Sequence, residues 1–184
     1  EDNVNAAITS RVDKLWTGGT SGLNLTGKDI VIGHWEVSGV PLSTHLELQN
    51  TVVVLEAASS SSHATHTAGT MVGIGVNPPA RGMTSSAIIH ARKTDSDEAE
   101  MADFAANGGI LSNHSYGTTF DAGDDIRNFG YYSASAQEWD QIAYNAPYYL
   151  ICKSAGNFRN DNLNAADGGY DLLLTKSLAK NILT

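Results

Sequence analysis

Short apolar runs rich in β-branched residues alternate with helix-patterned stretches along almost the whole chain. This alternation restricts the fold more than any other feature of the sequence. Residues 29–35, 51–56, 87–91, 110–113 and 148–152 read as strands. Apolar positions at helical spacing cover residues 1–16, 63–72, 97–106 and 133–145. Thr17-Gly18-Gly19-Thr20-Ser21-Gly22 breaks the first helical pattern as a loop, Asn107-Gly108-Gly109 stops the third and Pro147 closes the fourth. Strands that alternate with helices through short connections build right-handed βαβ units and a parallel sheet, so the expected class is α/β. In such sheets the chemistry collects beyond the carboxyl ends of the strands. That rule singles out Glu36, the segment before His63, residues 113–117 and residues 154–157.

Charge and composition remove several function classes. The chain has 184 residues, the size of one ordinary domain or most of a larger one. Its 20 acidic residues against 11 basic ones give a formal charge of −9, which argues against nucleic-acid binding and against a polybasic membrane anchor. No apolar run approaches the roughly 18 residues of a membrane-crossing helix. Cys152 is the single cysteine, so no intrachain disulfide framework exists. With 18 glycines and only 17% charged residues, the composition suits a compact α/β enzyme with tight turns. The chain opens Glu1-Asp2-Asn3 without Met, so a targeting segment is expected to have been removed or not included.

The most specific signal is Ser62-His63-Ala64-Thr65-His66-Thr67-Ala68-Gly69-Thr70. It resembles the histidine motif of the subtilisin-like serine proteases, His-Gly-Thr-His-x-Ala-Gly-Thr. Two later segments agree in order. Ile110-Leu111-Ser112-Asn113-His114-Ser115-Tyr116-Gly117 is similar to the family's substrate-binding strand, and Ser154-Ala155-Gly156-Asn157 to its oxyanion-hole segment. The resemblance covers residues 27–184, with 1–26 as an N-terminal segment. It implies the N-terminal portion of one peptidase domain with a three-layer fold around a mainly parallel sheet. It implies an acid-His-Ser triad hydrolysing peptide bonds of a peptide or protein substrate, with no cofactor required. His63 matches the catalytic base and His66 a second, structural histidine. Asn157 matches the side-chain donor to the oxyanion. Ser115, Tyr116 and Gly117 match the backbone that pairs with an extended peptide, and Ser154, Ala155 and Gly156 the facing pocket wall. Ala68 and Gly69 are expected to let the helix pack closely under the sheet. The family also implies a bacterial secreted or cell-envelope location.

The sequence departs from the family pattern in four places. The acid position in Gly33-His34-Trp35-Glu36-Val37-Ser38-Gly39 carries Glu36 where the family has Asp, and Asp29 lies at the wrong end of that strand. Glu is one methylene longer, so its carboxylate must retract to hold His63; the rival reading leaves Glu36 solvated in a degraded site. Ala64 replaces the motif glycine, and His45 matches a further structural histidine. The serine motif is absent from all 184 residues. The nucleophile is therefore expected in a C-terminal portion, beyond a break at Thr184 that falls inside the domain, carried for example by a second polypeptide. The segment 73–82 has no carboxylate, so the family's calcium loop is expected to be missing. Asp121, Asp124 and Asp125, or Asp161 and Asp167, remain candidates for a structural calcium against plain solvated charge. Two other function classes stay open at this point: a catalytically inactive binding or scaffold module, and a zinc hydrolase using His63, His66 and Glu36.

Overall fold

The computed structural model describes residues 3–121 and 123–184. The chain divides into two compact units, one running to Asp95 and one from Ser96 to Thr184. Every strand pairing within each unit is parallel, and the class is α/β, as the alternation requires.

The first unit contains α1 (Asn3–Ser10), β1 (Val31–Glu36), β2 (Val52–Val54), α2 (Ser62–Val72) and β3 (Ile88–Lys93). Its strands lie in the order β2-β3-β1, with Val31 opposite Ile88, Glu36 opposite Lys93 and Val53 opposite His90. The helical pattern expected over residues 1–16 ends early: Arg11 adopts a left-handed conformation (φ 66°), and only a short 3-10 turn, Val12–Lys14, follows. β1 is buried on both faces from Ile32 to Glu36, as a central parallel strand should be. After β1 the chain turns sharply at Gly39 (φ 130°), where a Cβ would lie 2.4 Å from the Ser59 carbonyl. A bridge between Val40 and Ser60 then holds the loop after β1 against the residues that open α2. Ser61 caps α2 by accepting from the Ala64 amide at 3.3 Å.

Ala64, Ala68 and Val72 recur every four residues and form the buried stripe of α2. Gly69 does not belong to it. A Cβ at Gly69 would meet nothing within 4 Å, so the expectation that this glycine allows close packing is corrected: Ala68 faces the interior and Gly69 lines an open cavity.

The second unit contains α3 (Asp97–Ala106), β4 (Leu111–His114), α4 (Ala134–Asn145) and β5 (Leu150–Lys153). β4 pairs with β5 from Leu111–Leu150 to His114–Lys153, and Leu183 adds a parallel bridge to Cys152. Met101, Phe104, Trp139, Tyr149 and Ile151 form the core. Among the described residues no helix is long and apolar enough to cross a membrane.

Candidate active site

In the first unit the alternation of β1 sends His34 and Glu36 to one face, and α2 presents His63 and Thr67 one turn apart. The four side chains meet. His63 Nδ1 lies 3.0 Å from Glu36 Oε2. Thr67 Oγ1 lies 3.2 Å from Glu36 Oε1 and 2.8 Å from His34 Nε2. Glu36 has no exposed surface, whereas the His63 side chain is 53% exposed. The reading of Glu36 as a solvated strand-end residue is thereby overturned. A buried carboxylate holds Nδ1 of a ring whose other edge is open, the arrangement that fixes a histidine as a base at Nε2. Burial, reinforced by the nearby His63, lowers the pKa of His34 to about 4, so His34 is neutral at neutral pH.

His66 is exposed and lines a cavity of about 530 Å³ with His45, Glu47 and Ser60–Ser62, a lining that includes neither His63 nor Glu36. His45 Nδ1 accepts from the Glu47 amide at 3.2 Å and so caps a short turn. Among the described residues no three His, Cys, Asp or Glu side chains converge on a point that could hold a metal. The proposed zinc set of Glu36, His63 and His66 therefore does not assemble. Asp125 is spent on Arg127, whose guanidinium holds its carboxyl down to about 2.

In the second unit the segments after β4 and β5 line one cavity of about 240 Å³. Ser115, Tyr116 and Gly117 contribute one wall and Ser154, Ala155, Gly156 and Asn157 the other. Asn157 is exposed at the start of a short 3-10 turn, and its side chain makes no capping hydrogen bond there. The two walls are tied together. Ser154 Oγ donates to the Tyr116 carbonyl at 3.2 Å, and the ammonium of Lys153 reaches both the Tyr116 carbonyl and Ser154 Oγ. Lys153 is buried and sits above the Tyr116 ring at 5.0 Å. Sequence reading missed it because it falls between the apolar run 148–152 and the segment 154–157, without a motif of its own.

The Tyr116 side chain does not enter the cavity wall freely; it is anchored inward. Its hydroxyl donates to Asp97 Oδ2 at 2.6 Å and lies 3.0 Å from His114 Nδ1. His114 Nε2 meets Ser112 Oγ at 2.8 Å, and Tyr149 donates to Ser112 Oγ at 2.6 Å. One proton order satisfies every group: Tyr149 to Ser112, Ser112 to His114 Nε2, His114 Nδ1 to Tyr116, Tyr116 to Asp97. Burial and the Asp97 charge push the Tyr116 hydroxyl well above its ordinary pKa, so it remains a donor. Lys176 closes the chain with a 2.7 Å ion pair to Asp97.

No family model matches the sequence, and no curated protein matches it. Membership in the subtilisin-like serine protease family, suggested by the motifs, is therefore withdrawn: likeness is found in the fold, not in the sequence as a whole. Solved structures that share that fold include two proteases. The prenylagaramide maturation protease PagA matches with a TM-score of 0.59 at 19% identity, over 80% of this chain and 52% of PagA. The MycP3 protease from the type VII (ESX-3) secretion system matches with a TM-score of 0.53 at 17% identity, over 83% of this chain and 46% of MycP3. The chain thus spans about half the length of each, and what they establish for it is an α/β, subtilisin-like fold also used by proteases.

Proposed function

We propose that this chain supplies the acid–histidine pair and the peptide-binding segments of a serine endopeptidase. The observation that carries the reading is the 3.0 Å contact between the buried Glu36 carboxylate and Nδ1 of the half-exposed His63. Two proteases with the same fold support it. In this reading His63 Nε2 takes the proton of a serine hydroxyl as its oxygen attacks a peptide carbonyl. Glu36 fixes the tautomer and stabilises the imidazolium. The Asn157 amide donates to the developing oxyanion. His63 then protonates the leaving amine, and water releases the acyl group by the same steps in reverse. Ser115–Gly117 pairs with the extended substrate backbone, and Ser154–Gly156 forms the facing wall of the side-chain pocket. The nucleophilic serine belongs to a C-terminal portion of the same protein, the substrate is a peptide or protein, and no cofactor takes part. The protein acts outside the cytoplasm, secreted or in the cell envelope.

Treating the natural full-length protein with a serine-reactive fluorophosphonate and taking an intact mass tests this. One label per molecule, on a serine outside residues 1–184 and lost in His63→Ala, is the expected result. A folded protein that takes no label would overturn the reading and favour a binding module that keeps the cleft without the chemistry.

A further inference from the structure

A glutamate that orients a histidine has a problem an aspartate does not. Its side chain is longer by one carbon–carbon bond, about 1.5 Å, and has one more torsion to freeze. Holding one oxygen against His63 leaves the carboxylate free to swing about that contact unless the second oxygen is also held. Misplacement by about 1 Å costs on the order of a hundredfold in rate.

We propose that Thr67 and His34 are positioning residues that clamp the second oxygen of Glu36 and thereby hold His63 in its working orientation. The inference rests on the endopeptidase reading of this site and assigns roles to two residues outside the triad. Thr67 Oγ1 is 3.2 Å from Glu36 Oε1, and His34 Nε2 is 2.8 Å from Thr67 Oγ1 and 3.6 Å from the same carboxylate oxygen. Thr67 has a single proton and three candidate acceptors: Glu36 Oε1, the Ala64 carbonyl at 3.1 Å and, in its other tautomer, His34 Nε2. A hydrogen bond to a buried charge is worth about 1.5–3 kcal/mol, against about 0.5–1.5 kcal/mol for a neutral acceptor, so the proton goes to the carboxylate. Thr67 Oγ1 then has its lone pairs free to accept from His34 Nε2–H. The remaining ring nitrogen, His34 Nδ1, is buried without a hydrogen-bond partner, as the proton-free nitrogen of that tautomer tolerates best. The order of donation is His34 to Thr67, Thr67 to Glu36 Oε1, and His63 Nδ1–H to Glu36 Oε2. Two strand residues two apart and two helix residues four apart thus converge on one carboxylate, with the neutral imidazole of His34 at the far end of the run that holds its second oxygen.

The test uses the natural full-length protein, with nitrogen-15 in its histidines, in wild-type, Thr67→Val and Thr67→Ser forms. Valine keeps the shape and deletes the hydroxyl; serine keeps the hydroxyl. Two quantities are read: solvent exchange of the His63 Nδ1–H proton by NMR, and kcat and KM on a chromogenic peptide. In Thr67→Val the Nδ1–H proton should exchange at least about tenfold faster, and kcat should fall about 10- to 100-fold with KM within about twofold. Thr67→Ser should restore both. In a Glu36→Asp background, where the shorter side chain no longer reaches Thr67, Thr67→Val should cost less than about twofold. Wild-type exchange and kcat in Thr67→Val, or equal damage in Thr67→Ser, would overturn the proposal. Thr67→Ala, a better helix former, gives a second hydroxyl-free variant should the valine protein not fold. If the wild type turns over no peptide yet its Nδ1–H proton responds to Thr67→Val as described, the clamp stands and the endopeptidase reading fails.

Discussion

Removing the Glu47 carboxylate should loosen the segment that follows the histidine helix. Glu47 is buried, and its oxygens accept from three consecutive amides: Gly75 at 2.7 Å, Val76 at 3.1 Å and Asn77 at 2.6 Å. Its carbonyl also accepts from Ile74 at 2.9 Å. Gly75 adopts φ +82°, which lets the successive amides converge on one carboxylate. Each amide bond to a charged acceptor contributes about 1.5–3 kcal/mol, so three represent a gross 5–9 kcal/mol or so. Glu47 also lines the open cavity of about 530 Å³, from which water can replace part of that. The net cost of Glu47→Ala should be about 3 kcal/mol. Glu47→Gln can leave its oxygen on Gly75 and Val76, but then sets its NH2 against the Asn77 amide; it should cost about 2 kcal/mol. Urea unfolding followed by circular dichroism measures the loss, and amide exchange at residues 75–77 should accelerate before the rest of the unit. A change below about 0.5 kcal/mol in both variants would refute the clamp, as would a chelator that lowers the wild-type midpoint as far as Glu47→Ala does. In the second case a cation, not the carboxylate alone, would be holding the segment.

Four further outcomes are expected. Glu36→Gln keeps the shape and removes the charge facing His63, and should lower kcat of the full-length protein about 10³- to 10⁴-fold; a loss under tenfold would leave Glu36 no orienting role. Asn157→Ala should lower kcat about 10²- to 10³-fold with little change in KM, read in the same peptide assay. His34 is neutral when folded, so its unfolded ring takes up a proton first, and stability should fall as pH drops from about 6.5 to about 4, by up to about 3 kcal/mol. Urea midpoints against pH measure this, and His34→Phe should flatten the curve in that window. Tyr116→Phe removes the hydroxyl that donates to Asp97 and lies 3.0 Å from His114 Nδ1, and should cost about 2 kcal/mol in thermal unfolding, whereas a neutral result would mean that the Tyr116–Asp97 anchor is slack.

The elements were legible, their edges less so. Each strand begins one to two residues later than its apolar run suggests: residues 29–35 become Val31–Glu36 and 148–152 become Leu150–Lys153. The apolar pattern marks what is buried, but pairing decides what is strand. Asp29 (φ 67°) and Tyr148 belong to turns that precede the ladder, while Glu36 and Lys153, polar in sequence, remain in register. The site was legible where residue type and position both spoke, as at His63 and Glu36. His34 escaped because it carries no motif, and Thr67 because it fills the variable position of the histidine motif. The signal was present all the same: His34 stands two residues before Glu36 on a strand, and Thr67 four residues after His63 on a helix, so each shares a face with its neighbour. Lys153 gave no comparable signal, since only the fold places its ammonium on the Tyr116 carbonyl.

With a formal charge of −9 the chain has carboxylates to spare, and most of them are solvated. Glu36, Glu47, Asp97 and Asp140 are the buried ones among the described residues. Burying a carboxylate is expensive unless donors surround it, so each marks a place where the fold commits several groups to one point. Asp140 makes the pattern plain: its Oδ1 accepts from the Lys180 and Asn181 amides, both at 2.7 Å, and its Oδ2 from the Tyr132 hydroxyl at 2.7 Å. Asp97 does the same for the hydroxyl of Tyr116, Glu47 for the amides after α2, and Glu36 for His63 and Thr67. Exposed pairs such as Asp125 with Arg127 contribute little by comparison, because water offers either partner nearly as good a contact. Three of the four buried acids fix segments of backbone or a buried hydroxyl. Glu36 alone of these turns its carboxylate toward a half-exposed ring and holds its Nδ1, the contact on which the proposed function rests.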